Sequence, residues 1–268
     1  METFKIQTRS KLSDFLLKNA KGMSYTLFQK TLRNKDIKVN GARVKQDVIV
    51  NPGDLVEAYY TPIIITPFEV VYSDKDVVVI YKKSGYQIEE VTLSLSSQFN
   101  GATAVHRLDR NTDGIMIFAL NKDAENALLK GFKNRDFNKV YKASVKGILE
   151  EKQAVLTAYL VKDKEASSVK IFDRKVEGSV EIKTGYEVIS EHTDYSELRV
   201  KLFTGKTHQI RAHLAHIGHP IIGDGKYGDY EFNKKMKAKT QRLTAIELTL
   251  SFDKDSYLYR LNGRTFSI

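Results

Sequence analysis

The sequence predicts an α+β protein built as two units, and three observations carry that prediction. Apolar and polar residues alternate with period two at 182–188, 198–202 and 243–250, the pattern of half-buried antiparallel strands. Helical spacing is confined to short stretches at 12–16, 25–33, 124–134 and 207–218. Three of the four prolines fall between positions 52 and 67. Prolines near both ends of 61–67 prevent a helix across it and favour an extended path. Residues 1–62 are therefore expected to form a small domain, 63–68 a linker and 69–268 a large domain.

In the first unit Leu12, Phe15 and Leu16 repeat at helical spacing. Ser24 can cap a second helix over 25–33, in which Leu27, Phe28 and Leu32 share a face. Asn40-Gly41 stands between Ile37-Lys38-Val39 and Arg43-Val44. It is a hairpin signal, because a type I′ turn needs positive φ at both central residues. Pro52-Gly53-Asp54 then turns the chain into a strand at 55–58. Arg9, Lys11, Lys30, Arg33, Lys35, Lys38, Arg43 and Lys45 are expected to face outward. The order helix, helix, hairpin, turn, strand resembles the S-four-like RNA-binding module. The motifs are Arg9-Ser10-Lys11-Leu12, the run from Leu32 to Gly41, and Pro52-Gly53-Asp54. The resemblance implies that this basic face, with Arg33, Lys35 and Lys38, grips RNA backbone. The residues alone equally allow a small accessory domain with a solvated lysine face.

The second unit opens with two β-branched runs, Glu69 to Tyr72 and Val77 to Tyr81, about a turn. They read as a strand pair, and Lys82-Lys83-Ser84-Gly85 follows as a turn. The run Ile115 to Leu120 is continuously apolar and reads as a strand buried on both faces. Asp123 can cap a helix from Ala124 to about Asn134. Across 139–147, Tyr141, Ala143 and Val145 fall on one face and Lys142, Ser144 and Lys146 on the other. Tyr141 therefore points inward, as a core tyrosine or as a site residue. Residues 150–180 read as strands joined by exposed turns. Thr207 can cap a helix ending at Gly218, with Ile210, Leu214 and Ile217 as its core stripe. His208, Arg211 and Ala215 lie on an adjacent face. A turn-rich loop at 220–228 and a solvated basic run, Lys234 to Lys239, precede 243–250, which is expected to close the sheet.

The chain carries 43 Lys and Arg against 33 Asp and Glu, a net charge of +10 over 268 residues. Such an excess favours polyanion partners, nucleic acid first and anionic membrane second. There is no basic amphipathic helix with a long apolar face, and no apolar run approaches the ~20 residues of a membrane span. The first residues contain no apolar core of signal-peptide length. The absence of cysteine excludes disulfides and thiolate metal sites and fits a reducing cytoplasm. A cytoplasmic monomer is the expectation.

The chemistry is expected in the stretch from Ala104 to Gly114, where Asp109 stands between Arg107 and Arg110, with His106 beside them. A connection anchored at the edge of a rigid sheet is a common way to present a reactive group to a cleft. A nearby arginine would hold the carboxylate ionised and oriented. The same residues also read as a solvated Arg–Asp pair at a strand entry. Four of the six histidines lie between 208 and 219. His213 and His216 lack the i, i+4 spacing of helical metal pairs and no HExxH is present, so no metal is expected. A phosphate loop and GxGxxG in its strand–helix context are absent, which argues against a methyltransferase or an NTPase, and there is no GxSxG elbow. A nuclease would gather several carboxylates for Mg²⁺. What remains is one flanked aspartate, one inward tyrosine and one helix arginine on a basic chain. That set is compatible with work on a nucleobase by a single carboxylate.

Three ordered motifs make the second unit similar to the RluA family of RNA pseudouridine synthases. They are His106 to Gly114, Lys139 to Gly147, and Thr204 to Leu214 running on through Gly218-His219-Pro220 to Gly228. The resemblance implies a mixed, mainly antiparallel sheet with a central catalytic cleft. It implies isomerisation of uridine to pseudouridine in ribosomal or transfer RNA, with no cofactor and no metal. Asp109 matches the family's catalytic aspartate, Tyr141 the tyrosine that packs on the target base, and Arg211 the arginine that pairs with the aspartate. Arg107 matches a residue that can occupy the space left by a flipped base. His106, Arg110 and Lys206, in the same motifs, are expected to contact RNA. Arg211 should therefore bond to Asp109, with Tyr141 lining the same pocket. Two departures stand out: Lys83 where the family often has proline, and Asp113 where it usually has serine. The first is expected to loosen the strand exit, the second to alter local electrostatics or substrate choice. The alternative is a non-catalytic RNA-binding protein or RNA chaperone on the same fold.

Overall fold

The structure, a computed structural model, describes residues 1–61, 66–163 and 165–268. It divides into two compact units, Met1–Thr66 and Pro67–Ile268. Most of the expected linker, 63–65, lies outside the described residues. Phe68, assigned to that linker from sequence, is buried and begins a strand instead.

The smaller unit runs β1 (Glu2–Lys5), β2 (Ser10–Lys11), α1 (Leu12–Asn19), α2 (Tyr25–Arg33), β3 (Ile37–Val39), β4 (Ala42–Arg43), β5 (Ile49–Val50) and β6 (Leu55–Ala58). Its four-stranded antiparallel sheet has the order β1-β6-β3-β4, and β2 pairs with β5. Ser24 Oγ accepts the Leu27 amide at 3.1 Å and caps α2 as expected. Asn40 (φ 51°) and Gly41 (φ 79°) make the turn between β3 and β4. Leu12, Leu16, Phe28, Leu32, Ile37 and Val56 are buried together.

The larger unit comprises β7 (Phe68–Ser73), β8 (Val77–Lys82), α3 (Ile88–Ser96), β9 (Thr103–Ala104), β10 (Asp113–Ala119), α4 (Lys122–Asn134), β11 (Asn138–Lys146), β12 (Gln153–Asp163), β13 (Ser168–Phe172), β14 (Val180–Glu191), β15 (Tyr195–Leu202), α5 (Gln209–His216), α6 (Tyr230–Lys235), β16 (Leu243–Thr249) and β17 (Thr265–Ser267). One sheet joins its strands in the order β13-β12-β14-β15-β11-β16-β10-β8-β7, with β9 on β10 and β17 on β16. Among the described residues every pairing in this sheet is antiparallel except β10 with β16. Strand β16 was expected to close the sheet. It lies in the middle instead and joins the two halves, because its alternating residues find partners on both sides.

That join is narrow. The parallel pairing spans only Asp113 with Thr244 and Gly114 with Ala245. Gly114 has φ 119°, and a Cβ there would stand 2.2 Å from the Ala245 carbonyl oxygen, so only glycine lets the strands meet. On one side of the seam β10 is apolar from Ile115 to Ala119 because both faces are covered. Ile115, Ile117 and Ala119 pack with Leu128 of α4, while Met116 and Phe118 pack with Val91 and Leu95 of α3. On the other side β11 shifts register against β16 between Val140 and Tyr141. Such a bulge re-aims a side chain beside a site, and here it falls at Tyr141.

Two helix starts differ from the sequence reading. Helix α4 is capped by Asn121, whose Oδ1 accepts the Ala124 amide at 2.9 Å. Asp123 lies in the first turn, where its charge favours the helix dipole without capping. Helix α5 begins at Gln209, not behind Thr207. His208 precedes it in the left-handed region and makes no side-chain cap; the Gln209 side chain braces the approach to the helix by accepting from the Lys206 amide at 3.1 Å. Its other end is as expected, with Gly218 at φ 85° after the last turn.

Candidate active site

The loop from Val105 to Thr112 carries Asp109, and a buried lysine pins it. Lys82, at the exit of β8, is fully buried. Its Nζ donates to the carbonyls of Thr112 (2.9 Å), Arg110 (3.1 Å), Lys83 (3.1 Å) and Asp109 (3.3 Å). Burial pushes this amine down to about 8, against the charges of Asp113 and Asp109. Gln241 donates to Thr112 Oγ1 at 2.9 Å, and Ser84 Oγ donates to the Asn111 carbonyl at 2.9 Å. Every bond holds the backbone or a side chain other than that of Asp109, so the Asp109 carboxylate is positioned without being consumed.

Lys83 does not loosen this exit. Its amide donates to the Pro67 carbonyl at 2.9 Å, a bond no proline could make, and its ammonium pairs with Glu69 at 3.1 Å. Asp113 is likewise absorbed by the seam. It accepts from the Tyr81 hydroxyl at 2.6 Å and from Thr244 Oγ1 at 2.7 Å, and it does not line the cleft.

Arg211 is brought in by α5, whose Ile210 and Leu214 are buried in the core. It was expected at the flank of that stripe, but it is itself buried. The burial is tolerable because each of its three nitrogens donates to a carboxylate. Nη1 donates to Asp109 Oδ2 at 2.8 Å, as expected. Nε and Nη2 form a two-pronged bond to Asp224, at 2.7 and 2.9 Å. Asp224 also accepts the amides of Lys226 and Tyr227, at 2.8 and 3.0 Å. Burial opposes its charge, but Arg211 and those amides outweigh burial and hold the carboxyl below its usual range. The loop that carries Asp224 needs glycine at 223, where a Cβ would meet the Thr240 carbonyl at 1.9 Å.

The cleft between loop and helix has a volume of about 450 Å³. Asp109, Tyr141 and Arg211 all line it. The Tyr141 ring is buried, and burial together with the Asp109 charge holds its phenol well above its usual range. Among the described residues its hydroxyl has no hydrogen-bond partner, nor does Asp109 Oδ1. Arg107 and Lys206, both exposed, line the mouth, with Lys133, Arg135 and Lys139. Arg110 does not line it: its Nε donates to the Gly85 carbonyl at 2.8 Å and ties the loop to the turn after β8. His106 lines the cleft but is a structural peg. Its Nε2 accepts the Ile117 amide at 3.1 Å, its ring stacks on Phe132 at 4.5 Å, and burial with the nearby Lys139 charge pushes it down to about 3. Neutral at physiological pH, it offers no cation to RNA. Arg33, Lys35 and Lys38 belong to the smaller unit. The first two are exposed, and Lys38 Nζ lies over the Tyr59 ring at 5.2 Å.

The histidines of α5 are engaged elsewhere. His213 Nδ1 meets Thr184 Oγ1 at 3.0 Å, and His216 Nε2 meets Asp173 at 2.6 Å. Among the described residues no group of three or more His, Cys, Asp or Glu side chains could hold a metal ion. No described helix is long and apolar enough to cross a membrane. Sequence reasoning missed Lys82, Asp224 and the pair His208–Tyr227 as parts of the site. Lys82 had no signal beyond an apolar strand ending in lysine. Asp224 and Tyr227 stood inside the third motif, but as turn residues.

The sequence pattern of the family described as RNA pseudouridylate synthase matches residues 76–216. Ribosomal large subunit pseudouridine synthase C of Haemophilus ducreyi is 29% identical over 252 residues, covering 85% of this chain and 78% of that protein. An uncharacterized RNA pseudouridine synthase of Bacillus subtilis is 28% identical over 246 residues, covering 83% and 80%. Among solved structures, human RNA pseudouridylate synthase domain containing 1 is similar with a TM-score of 0.64 at 26% identity, over 73% of this chain and 83% of that one. The matched stretch contains Asp109, Tyr141, His208 and Arg211, and Asp224 lies just beyond it.

Proposed function

Since the chain belongs to the RNA pseudouridylate synthase family, we propose that it isomerises uridines of ribosomal RNA, with Asp109 as the reacting carboxylate. Transfer RNA is the second substrate class. The observation that carries the reading is a carboxylate in a cleft beside a buried tyrosine, with one oxygen held by Arg211 and the other without a partner among the described residues. A uracil inside a stem cannot reach such a place, so the target nucleotide must leave the stack. The Tyr141 ring offers a flat apolar face to the flipped base, and Arg107 fits the space the base leaves. Arg107 and Lys206 at the mouth suit backbone phosphates.

The reaction neither adds nor removes atoms. The bond from uracil N1 to ribose C1′ breaks, the base turns in the cleft, and C5 bonds to C1′. The C5 proton then leaves and N1 takes one up. The free oxygen of Asp109 can serve by attacking the ribose, adding to the base or taking a ribose proton. Arg211 holds its partner oxygen still throughout.

The smaller unit is proposed as an RNA grip through its exposed Arg33, Lys35 and neighbouring cations. Removing it should leave turnover, weaken binding and flatten the salt dependence. The reading as a whole is tested by mapping pseudouridines in cellular RNA with and without the protein, followed by single-turnover conversion of the mapped site. RNA binding without conversion would instead favour an RNA chaperone.

A further inference from the structure

His208 lines the cleft, and the reaction as described leaves it unused. It holds a left-handed conformation, φ 54°, which side chains other than glycine seldom adopt. Two hydrogen bonds decide which ring nitrogen carries its proton. The Val169 amide donates to the Tyr227 hydroxyl oxygen at 2.8 Å. The phenol's own proton is thereby turned toward His208 Nδ1, 3.0 Å away. Burial holds the Tyr227 phenol above its usual range, so it remains a donor. Burial also pushes the His208 imidazole down, with Asp109 and Asp224 opposing and Arg211 and Lys226 reinforcing. A neutral ring that accepts at Nδ1 carries its hydrogen on Nε2.

That nitrogen stands 3.9 Å from Asp109 Oδ2. The gap is too long for a direct hydrogen bond, yet one atom about 2.8 Å from each side fits into it. Such an atom must accept from Nε2–H and donate to a carboxylate. Uracil carbonyls only accept and uracil N3–H only donates. The 3′ and 5′ oxygens of an internal nucleotide are esterified and have no hydrogen. The ribose 2′-hydroxyl does both. Seated there, it leaves Asp109 Oδ1 free for the reaction.

We propose that His208 and Asp109 together seat the 2′-hydroxyl of the target ribose and make the cleft selective for RNA over DNA. The inference rests on the reading that an RNA uridine is the substrate. Single-turnover rates test it with the wild type and His208→Phe on two oligoribonucleotides. One carries uridine at the mapped site and the other 2′-deoxyuridine. The wild type should lose about 10- to 100-fold on the deoxy substrate, the range of one hydrogen bond to a charged or buried group. His208→Phe should lose a similar factor on uridine and little more on deoxyuridine, because both changes remove one shared contact. Losses that multiply would overturn the proposal, as would a wild type indifferent to the sugar. Tyr227→Phe provides a check that leaves His208 and the ring beneath Arg211 in place. It should show a smaller loss on uridine that also vanishes on deoxyuridine, and a loss equal on both sugars counts against the seat. A wild type that converts neither substrate overturns the RNA-modification reading itself, and this inference with it.

Discussion

Two arginines of the larger unit each bridge two aspartates, and the two clusters differ by one oxygen. Arg260 donates to Asp74 at 2.9 Å and to Asp76 at 2.5 Å. There every carboxylate oxygen has a partner: Asp74 also accepts from Tyr72 and the amides of Asp76 and Val77, and Asp76 from Asn121 and Tyr257. This cluster ties the β7–β8 turn to the cap of α4 and to the C-terminal segment. Arg211 makes the same kind of bridge, and Asp224 is as fully engaged. Asp109 is not, since Oδ1 has no partner among the described residues. The same chemistry engages every carboxylate oxygen at one cluster and leaves one oxygen of Asp109 without a partner among the described residues at the other. What distinguishes them is who holds the backbone. At Asp74 the carboxylate itself accepts the loop's amides, whereas at Asp109 the Lys82 ammonium holds the loop and leaves the carboxylate idle.

Neutralising one aspartate of each cluster should have opposite consequences. Asp109→Asn keeps the bond from Arg211, since the amide oxygen still accepts, but cannot act as nucleophile or base. Pseudouridine formation should fall by at least about a thousandfold with thermal stability nearly unchanged. Asp76→Asn should do the reverse. It places an amide donor among three donors in a buried site and should cost on the order of 2–4 kcal/mol, with the rate per folded molecule unchanged. Denaturant midpoints and single-turnover rates on both variants decide it, and an active Asp109→Asn variant would remove Asp109 from the mechanism.

Arg211→Met is the next largest. Pairing with Asp109 alone would make this a loss of activity far larger than the loss of stability. Asp224 changes that expectation, because the substitution leaves a buried carboxylate without its cation, a loss of about 3–5 kcal/mol. Activity should fall about a hundredfold or more, the scale of losing one donor to a charged reacting group. Adding Asp224→Asn should recover part of the stability and none of the activity. If the double variant is no more stable than the single one, Asp224 is not what Arg211 is buried for.

Lys82 sharpens the contrast between the two ways of holding a loop. Its folded-state value, about 8, lies below that of a free lysine. Between that value and the ordinary one near 10.4 the unfolded chain binds more protons, so stability from this group rises with pH across that window. The gain should be on the order of 2–3 kcal/mol, and Lys82→Met should abolish the slope. At neutral pH the same variant takes the ammonium from four carbonyls, of which those of Arg110 and Asp109 keep the Gly85 and Thr112 amides, and it should slow the reaction by loosening Asp109. A slope that survives the substitution would assign it to other groups.

Much of this was legible in the chain, and the failures have physical reasons. The run from Ile115 to Leu120 announced a strand covered on both faces, and the spacing of Ile210 and Leu214 put Arg211 on the right side of its helix. Local chemistry was less decisive where two capping residues lie close together, as with Asn121 and Asp123. Helix α3 carries its signal in Ile88, Val91 and Leu95, at i, i+3 and i+7. The central place of β16 depends on a two-residue parallel contact between segments far apart in sequence, which no local pattern encodes. Lys82 and Asp224 were missed for a shared reason. Charged residues are seldom fully buried, so a sequence reader sends them to solvent unless the partner that permits burial is already in view.

Asp113 offers the smallest effect and the finest test of the criterion. It lies four positions after Asp109, where the loop enters β10, and by charge alone the two are alike. By the state of their oxygens they are not, since Tyr81 and Thr244 occupy both oxygens of Asp113. It therefore belongs with Asp76, and its charge serves the seam between β10 and β16 and the burial of Lys82. Asp113→Ser restores the residue usual in the family, keeps one acceptor and removes the charge. Stability should fall by about 1–2 kcal/mol, roughly the worth of the hydrogen bond lost. The single-turnover rate on the mapped uridine should stay within a factor of about three, because a loss under about 1 kcal/mol at the transition state is all that a distant, satisfied carboxylate can contribute. A change in which uridines are modified, or a tenfold fall in rate with the fold intact, would mean that a carboxylate with both oxygens occupied can still govern the cleft. The distinction drawn between Asp76 and Asp109 would then lose its force.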